Sequence, residues 1–212
     1  MAYVALPAWW SRFERRHPAL ADVPDVTHTG SGIPGDPLNV ALVGTEAELE
    51  RIFAAAGWTR AAALSVRSDL DIAADTVLAR PDPDAPVSNL YLFGRREDLA
   101  FEQPTGDDPR RRHHVRLWRA PPVDCDGRPL WIGAAILDAR VGVSRTTGQI
   151  THVTAPDVDA ERDYLFAALG KTGELVETLH VAEFHAVREG RNGGGDPWYS
   201  DGELSLGVIR PS

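Results

Sequence analysis

Apolar and polar positions recur in blocks along the chain, and each block predicts an element. Residues 38–43 form a short aliphatic run between Asp36-Pro37 and Gly44 and predict a strand. Thr45 and Glu48 then have capping-box spacing, Leu49, Ile52, Phe53 and Ala56 recur at helical intervals, and Gly57 stops the run. This is a β-α unit. Residues 62–80, rich in helix formers and ended by Pro81 and Pro83, predict a second helix. Leu90 and Leu92, then Leu99 and Phe101, alternate on either side of Gly94-Arg95-Arg96 and predict a hairpin. Two stronger strands follow at 114–119 and 130–137, joined across Asp126-Gly127-Arg128-Pro129, and a third at 149–154 follows Thr147-Gly148. Asp157 opens a helix with an acidic first turn (Asp159, Glu161) and a buried stripe of Val158, Leu165, Phe166 and Leu169. After Gly170 and Gly173, residues 175–187 read as a long strand, 190–196 as a glycine-rich loop, and 204–209 as a last strand.

The order β, α, inserted elements, β, β, α, β predicts an α+β fold. Its expected form is a mostly antiparallel sheet with helices packed on one face, in a split βαβ-like (ferredoxin-like) layout with inserted elements. Residues 1–35 read as an N-terminal extension and linker, with Trp9, Trp10, Phe13, Arg15 and Arg16 ahead of a Gly/Pro/Thr-rich stretch. Residues 36–212 are expected to form a single domain, long enough to bury a substantial core.

Composition narrows the function classes. An apolar fraction of 43% and a charged fraction of 25% are those of an ordinary globular protein. No apolar run approaches the roughly 20 residues of a membrane span, and the start lacks the positive charge of a signal peptide, so a soluble, cytoplasmic protein is expected. The lone Cys125 excludes an internal disulfide and a Cys-rich zinc site. A formal charge of −9 argues against sequence-independent nucleic-acid binding, the local exception being Arg110, Arg111, Arg112, His113 and His114. The aromatic N-terminus leaves a peripheral membrane or protein partner open, a docked helix being the plainer reading. Oligomeric state has no signature in the pattern.

Several phrases then carry a resemblance. They are Asp36-Pro37-Leu38-Asn39-Val40, Ala56-Gly57-Trp58, Leu90-Tyr91-Leu92-Phe93-Gly94-Arg95, Asp98-Leu99-Ala100-Phe101-Glu102-Gln103 and Arg112-His113-His114-Val115-Arg116-Leu117-Trp118. Trp131-Ile132-Gly133-Ala134-Ala135, Thr147-Gly148-Gln149-Ile150-Thr151-His152 and Asp157-Val158-Asp159-Ala160-Glu161-Arg162-Asp163 continue the series. In this order they resemble the LssY C-terminal domain family of bacteria. The resemblance implies a shared fold and no established reaction. Members joined to phosphatase-like or DedA-like membrane domains imply a setting near lipid metabolism or type I secretion, which is analogy at the level of the fold. After His152 the chain departs from the family phrase, with Val153 where a second histidine tends to stand. That argues against a mechanism built on such a pair.

The candidate chemistry lies in His113, His114, Arg116, His152, Asp157, Asp159, Glu161 and Arg162. Side chains alternate along a strand, so His114, Arg116 and Trp118 share one face and His113, Val115 and Leu117 the other. If the strand of His152 lies near that of His114, two imidazoles and a guanidinium meet. Such a centre would suit a small anionic ligand, with Arg112, His113 and Arg162 as further ligand-binding residues. It would equally suit a hydrolase acting on a phosphoester, with His114 or His152 as proton carrier and Arg116 as anion clamp. A divalent metal is a third option, with Asp157 and Glu161 joining His114 and His152 as ligands. The competing reading takes the same residues as strand histidines, a cap and helix-side ion pairs.

Overall fold

The computed structural model describes residues 23–61, 89–106, 108–121, 127–146, 148 and 150–212. The expected helix at 62–80 and the aromatic segment up to residue 22 lie outside them. In chain order the elements are β1 (Val26–Thr29), β2 (Pro34–Pro37), β3 (Val40–Val43), α1 (Glu46–Ala55), β4 (Thr59–Arg60), β5 (Leu90–Leu92), β6 (Arg95–Arg96), β7 (Leu99–Thr105) and β8 (Asp108–Arg119). Then come β9 (Leu130–Val143), β10 (Ile150–Thr154), α2 (Val158–Lys171), β11 (Leu175–Val181), β12 (Glu189–Arg191), β13 (Pro197–Tyr199) and β14 (Leu204–Ile209).

The expectation of an α+β, ferredoxin-like fold is corrected by this order. Fourteen strands in three sheets stand against two helices among the described residues, so the protein is mostly β. The largest sheet has eight strands: β11-β14-β3-β9-β8-β7-β4 in order, with β10 added beside β9. Its pairs are antiparallel except β14 with β3. A second sheet runs β2-β1-β5-β6, and β12 pairs with β13. The strands missed in the sequence are short and rich in Gly, Pro and polar residues, so they carry no alternating apolar signal. β1 lies in the stretch read as a linker and β2 crosses its end, and β12 and β13 flank the glycine-rich loop. Conversely, β11 ends at Val181, short of the expected 187, and Leu99 starts a strand of the large sheet instead of closing a hairpin with Leu90.

The sheet separates two cores by strict alternation. On β3, Val40 and Leu42 join one core and Ala41 and Val43 the other. The first core takes Leu49, Ile52 and Phe53 of α1, Leu165 and Leu169 of α2, and Val115, Leu117 and Trp131 of the sheet. The second is built mainly from strands and loops: Leu38, Leu90, Leu92, Trp118, Ile132, Ile136, Trp198 and Leu206. All four tryptophans among the described residues are buried. Helix α1 starts as its sequence demands, with the Thr45 hydroxyl accepting from Glu48 N and the Glu48 carboxylate accepting from Thr45 N at 2.8 Å. Fully buried Asn39, just ahead of β3, ties β9 to α2: its amide donates to Ala135 O and Val158 O, and its Oδ1 accepts from Ala135 N. No described helix is long and apolar enough to cross a membrane.

Candidate functional site

β9 is the axis of the site. Its 14 residues outrun β3, so its first half pairs with β3 and its second half with β10, while β8 runs along the other edge. Arg112 on β8 and Thr154 on β10 are therefore both registered on Asp138 of β9. The register between β9 and β10 shifts between Val153 and Thr154, a bulge of the kind that re-aims side chains beside a site. Alternation does the rest, setting His114 and Arg116 beside Arg112 on one strand and His152 beside Thr154 on the other.

These residues line one hollow. It is lined by His114, Arg116, Asp138, His152 and Thr154 of the large sheet, by Asp36 of β2 and Leu90 of β5, and by the turn Asn192-Gly193-Gly194. The space is small, about 40 Å³. At roughly 10–15 Å³ per water-sized sphere it takes about three such groups, the scale of one small ion. His114, Arg116, Asp138 and His152 are each more than nine-tenths buried.

Inside the hollow, supply and demand for hydrogen bonds do not match. His114 Nδ1 is 3.2 Å from Asp138 Oδ2 without the alignment of a hydrogen bond, so neither of its ring nitrogens has a hydrogen-bond partner among the described residues. The same holds for both nitrogens of His152 and for Asp138 Oδ1. The Arg116 guanidinium is 3.8 Å from Asp36 Oδ2, too long for a hydrogen bond. By contrast Asn192 is fully engaged: it donates to Asp36 Oδ1 and Thr154 Oγ1 and accepts from Gly194 N and Asp196 N. Buried polar atoms are normally paired, so five unpaired ones around one hollow stand out.

The charges are set by this neighbourhood. Burial works against ionisation of Asp138, but His114, His152 and Arg112 outweigh it and hold the carboxyl down at about 2. Burial pushes the Asp36 carboxyl up, and the Arg116 and His114 charges only partly oppose it. Burial lowers His152 below the usual imidazole range despite the pull of Asp138, which keeps the ring neutral at pH 7.

The other residues singled out in the sequence go elsewhere. His113 faces the opposite side of β8, with Nδ1 at 2.9 and 2.8 Å from the two Glu161 oxygens and its ring stacked on Tyr164 at 3.9 Å. Asp157 caps α2, accepting from Ala160 N at 3.0 Å. Neither Asp157 nor Glu161 is brought to His114 and His152, and among the described residues no three His, Cys, Asp or Glu side chains group so as to hold a metal ion. Arg162 is bound to Asp201 through both terminal nitrogens and to Asp159, Asp163 and Glu203 O, a tie between α2 and the turn before β14. Arg112 borders the hollow through Asp138 at 3.3 Å and also pairs with Glu102. His180 is exposed beside Ser205 and Glu203, whereas His185 is buried against the Leu38 carbonyl.

Among the polar side chains that line the hollow, four were not read from the sequence as site residues: Asp36, Asp138, Thr154 and Asn192. Asp138 had a signal, since it continues the face of Ala134 and Ile136 one step past the apolar run, and Thr154 is in phase with His152. Asn192 had none.

No curated protein matches the chain, and no solved structure does. A family model does: LssY C-terminus, matched over residues 20–204 of the 212. With most of its length in that match, the chain belongs to the LssY C-terminus family.

Proposed function

We propose that this is a binding domain whose hollow takes a small anionic ligand, with Arg116, His114 and His152 as the groups that hold it. The supporting observation is that a buried guanidinium and two imidazoles with unpartnered nitrogens line one ion-sized hollow. Arginine carries its charge at any working pH, and its planar fork suits an oxyanion. A neutral imidazole can turn an N–H toward the same anion. Gly193 and Gly194 line the site with backbone alone.

Calorimetric titration with a set of small oxyanions tests this. The expected result is saturable binding by the wild type, lost in Arg116→Gln and weakened in His114→Ala and His152→Ala. Absence of binding by every oxyanion, or binding unchanged in Arg116→Gln, would overturn it.

A hydrolase acting on a phosphoester is the second reading, and the pairing of His114 with Asp138 favours it. A carboxylate this close to an imidazole stabilises the imidazolium formed on proton uptake. Turnover in a panel of phosphomonoesters, phosphodiesters and carboxylesters, abolished by His114→Ala, is the expected sign; a panel without turnover removes the reading. Elemental analysis of the purified protein against a His114→Ala, His152→Ala double variant decides whether that chemistry includes a divalent metal.

A further inference from the structure

Anion binding by itself leaves one group in the hollow unexplained. Asp138 is 1% exposed, its Oδ2 faces Arg112 and His114, and its Oδ1 is buried with no hydrogen-bond partner among the described residues. An ionised carboxylate only accepts. A fully deprotonated anion also only accepts, so seated here it would leave Oδ1 unpaired and set two negative oxygens against each other. A ligand with its own O–H removes both penalties.

We propose that the hollow selects a small tetrahedral oxyanion that still carries a proton, hydrogen phosphate or a phosphomonoester head group, whose O–H donates to Asp138 while Arg116 and the imidazole N–H groups take its other oxygens. This rests on the anion-binding reading of the same hollow and adds the identity of the anion. The electrostatics agree at Asp138, where the surrounding charges keep the carboxyl ionised and therefore an acceptor. Size cannot make the choice, because sulfate has the same shape. Chemistry can, because sulfate holds no proton at neutral pH.

The test is a calorimetric comparison of inorganic phosphate, methyl phosphate and sulfate on the full chain, at about pH 5.5 and about pH 8, either side of the ester's second ionisation near 6. An unsatisfied buried acceptor typically weakens binding by roughly tenfold or more, so phosphate should exceed sulfate by at least about that factor at both pH values. Methyl phosphate should exceed sulfate only at the lower pH; if it fails there while phosphate binds, the ligand is the free anion. Asp138→Asn, which puts a donor where the acceptor stood, should collapse or invert the preference. Equal binding of phosphate and sulfate by the wild type overturns this inference but leaves the anion-binding reading intact. Binding of neither overturns this inference, and absence of binding across the whole oxyanion set overturns the anion-binding reading as well. The wild-type comparison decides even if Asp138→Asn fails to fold.

Discussion

His114 Nδ1 and Asp138 Oδ2 meet at 3.2 Å across the β8–β9 pair, along a diagonal: Asp138 is registered on Arg112, and His114 on Ile136. The carboxylate therefore answers two residues of one strand at once, since Arg112 Nε lies 3.3 Å from the same oxygen. Removing it leaves a buried imidazole and a largely buried guanidinium without their shared counter-charge. Asp138→Ala should cost about 3–5 kcal/mol, the range for breaking a buried pair from one side. Denaturant unfolding measures this, and a loss under about 1 kcal/mol would mean the carboxylate does not hold the strands together.

The two adjacent histidines make a paired prediction. His113→Ala removes the buried contact with Glu161 and the stack on Tyr164, both on the face opposite the hollow. It should lower stability by about 2 kcal/mol or more yet leave anion affinity unchanged. His114→Ala should weaken anion binding. Calorimetry beside thermal unfolding separates the two, and a loss of binding in His113→Ala would sink the assignment of faces.

Much of this site was legible because strand alternation is a strong rule. The spacing of His114 and Arg116 put them on one face, and the glycine turn before residue 150 placed His152 on a following strand. The partner carboxylates were misread for a specific reason. Asp157 and Glu161 lie close to His152 in sequence, but their helix N-terminus and His113 claim them, whereas Asp36 and Asp138 come from strands whose registers no single sequence displays. The fold was read less well on the same ground. Helices α1 and α2 announced themselves by caps and stripes, but short strands such as Pro34–Pro37 exist only through pairing with distant segments.

Acid should destabilise the protein through His152. Its folded ionisation lies below the usual imidazole value, so below about pH 6.5 the unfolded chain binds more protons, and stability falls as pH drops. Buried His185 acts in the same direction, while Asp36, raised by burial, acts in the opposite sense at and above the usual carboxylate range. His152→Gln isolates the first contribution. Between about pH 7 and 5 its stability should fall less steeply than that of the wild type, by up to about 1.4 kcal/mol per pH unit. Parallel curves from denaturant unfolding would contradict the assignment.

Gly133 couples the middle of the sheet to the hollow. A Cβ on it would stand 2.1 Å from the carbonyl oxygen of Arg116 and 2.7 Å from Leu117 Cδ2, closer than any real contact. Gly133→Ala therefore has to move β8 at Arg116, the residue proposed to hold the anion. Overpacking of this kind costs about 1–3 kcal/mol, and displacement of Arg116 should weaken anion affinity as well. Gly170 provides the contrast: it lies exposed in α2, and a Cβ there would meet nothing within 4 Å. Gly170→Ala should raise stability by about 0.5–1 kcal/mol, the ordinary gain in a helix, and leave affinity untouched. Unfolding and titration of both variants give the four numbers, and unchanged affinity in a folded Gly133→Ala protein would show that the position of Arg116 is not what binding depends on.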